Sequence, residues 1–143
     1  MRATMLLSDA AQAVQGKLYV IGGGWTMTVP GASSAVAIQI LVPGDQTNTR
    51  HRWRLELLDA DGGQVVLPSP AGERAVELEG EFEVGRPAGV PRGADIGVAI
   101  AVNVGPLPLQ LGRYEWRLSI DGELDDNWRL AFTVVQAVPQ QQH

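Results

Sequence analysis

Residues 72–85 read GERAVELEGEFEVG and carry the clearest structural signal in the chain. Its apolar residues Val76, Leu78, Phe82 and Val84 fall on one parity, and its acidic residues Glu77, Glu79, Glu81 and Glu83 on the other. Because successive side chains of a β-strand point to opposite faces, this pattern predicts a strand with one buried and one solvated face. The same period of two returns in 51–59 (HRWRLELLD), 114–121 (YEWRLSID) and 128–135 (WRLAFTVV). We therefore predict an all-β protein.

Turn signals separate eight or nine such segments, which predicts a two-layer antiparallel β-sandwich of Greek-key or immunoglobulin-like type. A closed barrel is the alternative. At most one short helix is expected, over 8–16 (SDAAQAVQG), with Ser8 as its N-cap and Gly16 just past its end. The glycines at 22–24 are expected to bend one strand sharply. We expect one domain over residues 1–136 and a disordered tail over 137–143.

Aromatic residues are expected to anchor the core. Four tryptophans lie in strand contexts: Trp25, Trp53, Trp116 and Trp128. In 109–116 (LQLGRYEW), the Leu-x-Gly-x-Tyr entry into a strand is similar to the tyrosine corner of Greek-key sandwiches. The motif predicts a bond from the Tyr114 hydroxyl to the backbone a few residues upstream; the alternative is one more half-buried aromatic ring.

The four glutamates in 77–83 repel one another, since successive residues on one strand face lie only about 6.6 Å apart. Nearby positive charges are therefore expected to compensate them. The arginines expected to pair with these glutamates from neighbouring strands are Arg52, Arg54, Arg117 and Arg129. We interpret the row as a solvated face that also discourages edge pairing.

Composition excludes several classes of function. The chain has 143 residues, a net charge of -5 and no cysteine. An acidic chain without clustered Lys and Arg is not expected to bind nucleic acid or a membrane. The absence of cysteine removes disulfides and thiolate chemistry. The apolar stretch near the N-terminus is too short for a signal peptide, so a cytoplasmic location is expected.

No catalytic residue or cofactor is predicted. His51 is the only histidine before the C-terminal residue, no G-x-S-x-G elbow exists, and His51 is expected to be a solvated turn residue. Calcium is the one metal hypothesis, through turn carboxylates that could meet at one end of the sandwich: Asp59, Asp61, Asp121, Asp125 and Asp126. The alternative is that these residues only form local turn bonds.

A weakly polar sheet face is the candidate interface. It combines small or apolar residues on the outward parity of 35–42 and 95–103: Ala37, Leu41, Gly97, Ala99 and Ala101. Such a face suits packing on a second copy of the chain or on another protein. The alternative is that a terminal segment or a long loop covers it.

The blocks 6–25 (LLSDAAQAVQGKLYVIGGGW), 50–62 (RHRWRLELLDADG) and 112–123 (GRYEWRLSIDGE) together resemble an uncharacterised family of small bacterial proteins, a domain of unknown function. The resemblance implies a compact single-domain bacterial protein and brings no activity or site residue. We expect a non-enzymatic interaction or self-assembling protein that acts through a sheet face. The alternative is an enzyme, or a small-ligand or calcium carrier, that uses loops 43–50, 85–93 and 121–127.

Overall fold

The structure, a computed structural model, describes residues 1–137, and its regular secondary structure is β-strand apart from a three-residue 3-10 helix at Gly44–Gln46. In chain order the strands are β1 (Arg2–Ser8), β2 (Ala10–Val14), β3 (Lys17–Ile21), β4 (Met27–Thr28), β5 (Ser34–Val42), β6 (Arg50–Leu58), β7 (Val66–Ser69), β8 (Gly72–Ala75), β9 (Glu77–Glu83), β10 (Ile96–Val104), β11 (Gly112–Ile120) and β12 (Glu123–Val134). Residues 138–143 of the predicted tail lie outside the described part.

The strands form two layers, so the predicted all-β sandwich is confirmed. One sheet has three strands in the order β1-β5-β10, and the other has five in the order β4-β12-β11-β6-β9. Neighbours run antiparallel except β4 and β12, which are parallel. Two hairpins, β2–β3 and β7–β8, form separate two-stranded sheets. Within residues 1–137 no helix is long and apolar enough to cross a membrane.

The core lies between the inner faces of the two sheets. Val36, Ile38, Ile40 and Val42 of β5 are fully buried against Leu55, Leu57, Trp116 and Leu118 of the facing sheet. Trp128 is also buried, and the half-buried Trp25 packs its ring edge-on against Phe132 at 6.2 Å between centroids. Each large side chain contributes about 1.5–3 kcal/mol when it is fully buried, so Trp116 and Trp128 anchor the core, as predicted. Trp25 and Trp53 pack against the core but are only half-buried.

The tyrosine corner is present. The Tyr114 hydroxyl donates a hydrogen bond of 2.9 Å to the carbonyl oxygen of Gln110, four residues upstream, as the motif predicts. The Tyr114 ring also stacks on Phe132 with centroids 5.7 Å apart. The corner therefore ties the segment before β11 to the core.

The predicted helix over 8–16 is wrong, because these residues end β1 and form β2. A two-residue turn at Gln15 and Gly16, with φ of 50° and 75°, joins β2 to β3. Positive φ at both turn residues is typical of the type I′ hairpin turn. The apolar strand β3 supplies ladder partners for β2, and this pairing prevails over the helical propensity of the alanines.

The glycine run is a connection between layers and not a bend within one strand. After β3 ends at Ile21, the Gly24 N–H donates to the Leu7 carbonyl at 2.7 Å, and the chain continues to β4 in the five-stranded sheet. Gly22 has a φ of +61°, and a side chain there would collide with Asp9. Glycine is therefore required at the start of this crossing.

The glutamate row lies on β9, at the edge of the five-stranded sheet. Arg52 lies 3.9 Å from Glu81, and Arg54 pairs with Glu77. The other two predicted arginines form ion pairs with carboxylates outside the glutamate row: Arg117 with Glu56 at 3.3 Å and Arg129 with Asp126 at 3.9 Å.

Candidate functional site

The two sheets differ in width. On one side of the sandwich β1 runs close to β12, so the layers close together there. Counting from that side, β12, β11, β6 and β9 face only β1, β5 and β10. Within residues 1–137, β9 therefore has no strand opposite it in the three-stranded sheet.

This mismatch leaves core residues incompletely covered. Trp53 of β6, Leu78 of β9, and Val98 and Ile100 of β10 all point inward, yet they remain half-buried. We call β9, β10 and these four side chains the open side of the sandwich. A groove of about 660 Å³ continues it between the β7–β8 hairpin, the start of β9 and the end of β10.

Gly80 shapes the floor of the open side. It pairs directly with Trp53 across β6 and β9. A Cβ atom on Gly80 would lie only 2.7 Å from the Trp53 indole, so the ring occupies the place of a side chain there. Glycine at this position lets one indole cover two strands of the floor.

The edge of β10 differs from the other sheet edges in residues 1–137. The β9 edge carries four glutamates, β4 is only two residues long, and β1 is covered by β12 and Gly24. Natural sheets protect their edges by charge, shortness or cover. Over its nine residues, Ile96–Val104, β10 contains no charge and no proline. The β2–β3 hairpin packs against β10, but within residues 1–137 no backbone hydrogen bond joins the hairpin or a loop to its outer edge, so the backbone groups of that edge are free to pair.

The predicted interface residues divide into two groups. The β2–β3 hairpin lies on the outer face of the three-stranded sheet, where Ala11 and Leu18 pack against Ala37 and Ala101. Leu41, Gly97 and Ala99 are outside this cluster and stay half-buried or exposed. An N-terminal segment thus covers part of the face, which is the alternative stated above.

Asn103 holds the hairpin in place. Its side-chain oxygen accepts a hydrogen bond of 3.2 Å from the Ala11 N–H, and its side-chain nitrogen donates one of 2.9 Å to the Ala11 carbonyl. The amide therefore pairs with the edge of β2 as a neighbouring strand would. Sequence alone does not reveal this role of Asn103, because the alanines around Ala11 favour a helix.

The end loops of the alternative function gather at one end of the sandwich. The Asn48 N–H donates to the Val84 carbonyl at 2.7 Å, and Gly44 lies against Gly93. Loops 43–50 and 121–127 border a cavity of about 270 Å³, with Asp45 and Glu123 beside the buried Ile120 and Trp128.

His51 is buried at the wall of this end cavity, so the expectation of a solvated residue is wrong. Nδ1 lies 2.6 Å from Oδ2 of Asp121, and Nε2 lies 2.8 Å from the carbonyl oxygen of Gln46. Both oxygens are acceptors, so only the imidazolium donates to each of them. The ring packs on Phe82 with centroids 5.2 Å apart. The partner Asp121 is 70 residues away in sequence, and no local pattern signals it.

The hydrogen bonds around this pair stabilise the charged forms of both His51 and Asp121. Burial alone would lower the pKa of His51, but the hydrogen bonds to Asp121 and Gln46 outweigh it and raise the pKa above 6.5. Burial would likewise raise the pKa of Asp121, but the bond from His51 and one of 2.9 Å from the Arg52 N–H lower it. With both ring nitrogens engaged, His51 acts as a clamp between the loops and not as a free base.

The candidate calcium ligands are not brought together. The β6–β11 register pairs Leu58 with Glu115 and Trp53 with Ile120, so the turn after Leu58 and the turn after Ile120 lie at opposite ends of the sheet. Asp59 and Asp61 therefore do not meet the second group, Asp121, Asp125 and Asp126. Among the described residues, no group of three His, Cys, Asp or Glu side chains is arranged to hold a metal ion.

Several of these carboxylates are engaged locally. One oxygen of Asp59 accepts hydrogen bonds of 2.9 Å from the N–H groups of Asp61 and Gly63. Asp125 accepts one of 2.8 Å from the Asn127 N–H. These are the turn bonds of the alternative interpretation.

The chain matches a protein-family model over nearly all of its described residues. The model described as a family of unknown function, DUF6941, matches residues 3–134. The comparison with curated proteins found no match.

Proposed function

The chain belongs to this family of unknown function, and we propose that it is a non-enzymatic protein-binding module whose binding surface is the open side of the sandwich. One observation supports this most directly. An uncharged, nine-residue sheet edge lies beside inward-facing apolar side chains that are only half-buried.

A polypeptide bound there gains in two ways. Each backbone hydrogen bond to the free edge adds about 0.5–1.5 kcal/mol, and covering apolar surface adds about 25 cal/mol per Å². Neither gain needs a charged partner, which agrees with the neutral composition of β10.

The end cavity is the competing site. Its imidazole and the carboxylate of Asp121 are bonded to each other and to the backbone, so neither is free for proton transfer. This arrangement favours a structural role for the clamp, and we place protein binding ahead of catalysis or ligand carriage.

The proposal is tested by photo-crosslinking in the cells that produce the protein. A benzoylphenylalanine replaces Val98 on the open side, and in a matched control it replaces Leu124, which is 55% exposed and lies on β12. We expect discrete polypeptide adducts at position 98 that are absent at position 124, and their loss when Leu78→Glu is added.

Circular dichroism and melting temperature confirm that each variant is folded. The proposal is wrong if position 98 yields no polypeptide adduct above the level of position 124, or if Leu78→Glu leaves the adducts unchanged in a folded protein.

A further inference from the structure

We infer that the open side receives one extended segment of another polypeptide, which adds to β10 as a fourth strand of the three-stranded sheet and lies over β9. This inference rests on the proposed function and specifies the form of the partner.

The widths of the sheets indicate a single strand. Neighbouring strands lie about 4.8 Å apart and stacked sheets about 10 Å apart, so the place beside β10 and above β9 has the width of one strand. Its floor is the Trp53 indole and Leu78. One added strand equalises the layers at four strands each on this side.

A second copy of the chain fits this place poorly. Antiparallel pairing of two β10 edges requires a two-fold axis perpendicular to the sheet. Because β9 extends one strand beyond β10, that axis would bring the β9 of the second copy into the layer position of β6. The geometry favours an isolated strand over another sandwich edge.

The side chains of β10 define the chemistry of the segment. Ile96, Val98 and Ile100 face inward, whereas Gly97 and Ala99 face outward and are small. The fitting segment therefore has apolar residues at every second position and no charge at its centre. Proline is excluded at each position where the segment must donate a backbone N–H to β10, because proline has none.

Charged residues lie at both ends of the site, and Glu79, on the solvated parity of β9, also borders the groove. Asp95 pairs with Arg2 at 3.3 Å before the start of β10, and Arg74 and Glu77 border the groove at its far end. Charged residues are consequently tolerated at the ends of the segment and not at its middle.

The probe is a synthetic peptide with the sequence of β5, SAVAIQILV, which already pairs with the other edge of β10. Two lysines at each end keep it soluble. The matched control peptide carries proline in place of the residue equivalent to Ile38, which removes one N–H from the middle of the strand.

Binding is followed by NMR-detected amide exchange of the full chain. We expect saturable binding of the β5 peptide with slowed exchange in Ile96–Val104, and no protection by the proline peptide. Val98→Glu is expected to weaken binding roughly tenfold or more, because it places a charge in the apolar contact. Leu124→Glu is expected to leave binding unchanged.

The outcomes separate the two proposals. If neither peptide protects β10, or both protect it equally, strand addition is wrong, whereas crosslinks at position 98 would still support protein binding. If light scattering instead shows a dimer that Val98→Glu dissociates, the occupant is a second copy and the single-strand inference is overturned. If the crosslinks are also missing, both proposals fail.

Discussion

His51 and Asp121 show how a pair of residues sets the pH dependence of stability. The raised pKa of His51 means that its contribution is fully present below pH 6.5 and is lost as pH rises through the higher folded pKa. The lowered pKa of Asp121 means that its contribution is fully present above pH 3.8 and is lost as pH falls through the lower folded pKa. The clamp therefore stabilises the fold most between pH 3.8 and pH 6.5.

Asp121→Asn tests this dependence. Asn tolerates the left-handed φ of 53° at this position, so the turn is retained while the charge is removed. We expect the free energy of unfolding at about pH 5 to fall by about 1–2 kcal/mol, and its decline towards higher pH to flatten. Urea unfolding across this pH range measures both, and an unchanged profile would contradict the clamp.

Gly80 gives a second prediction for a single residue. Gly80→Ala places a methyl group against the Trp53 indole, so we expect a loss of about 1–3 kcal/mol and a change in the emission of Trp53. Gly105→Ala is the matched control, since no atom lies within 4 Å of its added Cβ. Equal stability of the two variants would show that the indole does not lie over Gly80.

Among the elements, the β2–β3 hairpin depends on Asn103. Asn103→Ala removes both side-chain bonds to Ala11 but leaves the β10 ladder intact. We expect amide exchange in residues 10–21 to accelerate roughly 10- to 100-fold while the sheets stay protected. Gln39→Ala, at an exposed position on the same sheet face, is the control. A uniform acceleration over the whole chain would instead indicate global destabilisation.

The alternation of apolar and polar residues predicts the long strands well, because period two is a local property and each sheet buries one face. It fails at residues 8–16, where the strand exists only through pairing with β3. The turn there places Gln15 at positive φ, although Asn or Gly is the usual signal. The prediction of a strand bend at glycines 22–24 fails for a similar reason. A bend within a strand and a connection between two layers require the same backbone flexibility, so the sequence does not distinguish them.

For the whole molecule, the contrast between the β9 and β10 edges leads to a prediction about solubility. Replacing Glu79, Glu81 and Glu83 by threonine removes the charge that protects β9, while a residue suited to strands remains. We expect concentration-dependent association of this variant in light scattering. Glu115→Thr is a control on the same sheet away from its edge, and it is expected to behave as wild type. A variant that associates no more than wild type would contradict protection by charge.

The candidate site could be predicted only in part. The outward parity of β10 marks it as small and uncharged from sequence alone, and Gly97 and Ala99 follow from that pattern. The open side depends on the number of strands in each layer and on which strand lies opposite which, and these are properties of topology. The clamp likewise joins residues from two distant turns.

The long connections of the three-stranded sheet have a consequence for synthesis. Its strands β1, β5 and β10 span residues 2–8, 34–42 and 96–104. In the other sheet, β4 can pair only after Thr133 and Val134 of β12 have been synthesised. At about 5–20 residues per second, a ribosome releases β5 roughly 3–12 s before β10. Strand β5 thus emerges before its sheet partner β10, and resistance to protease is expected to arise in one late step, once Val134 has left the exit tunnel.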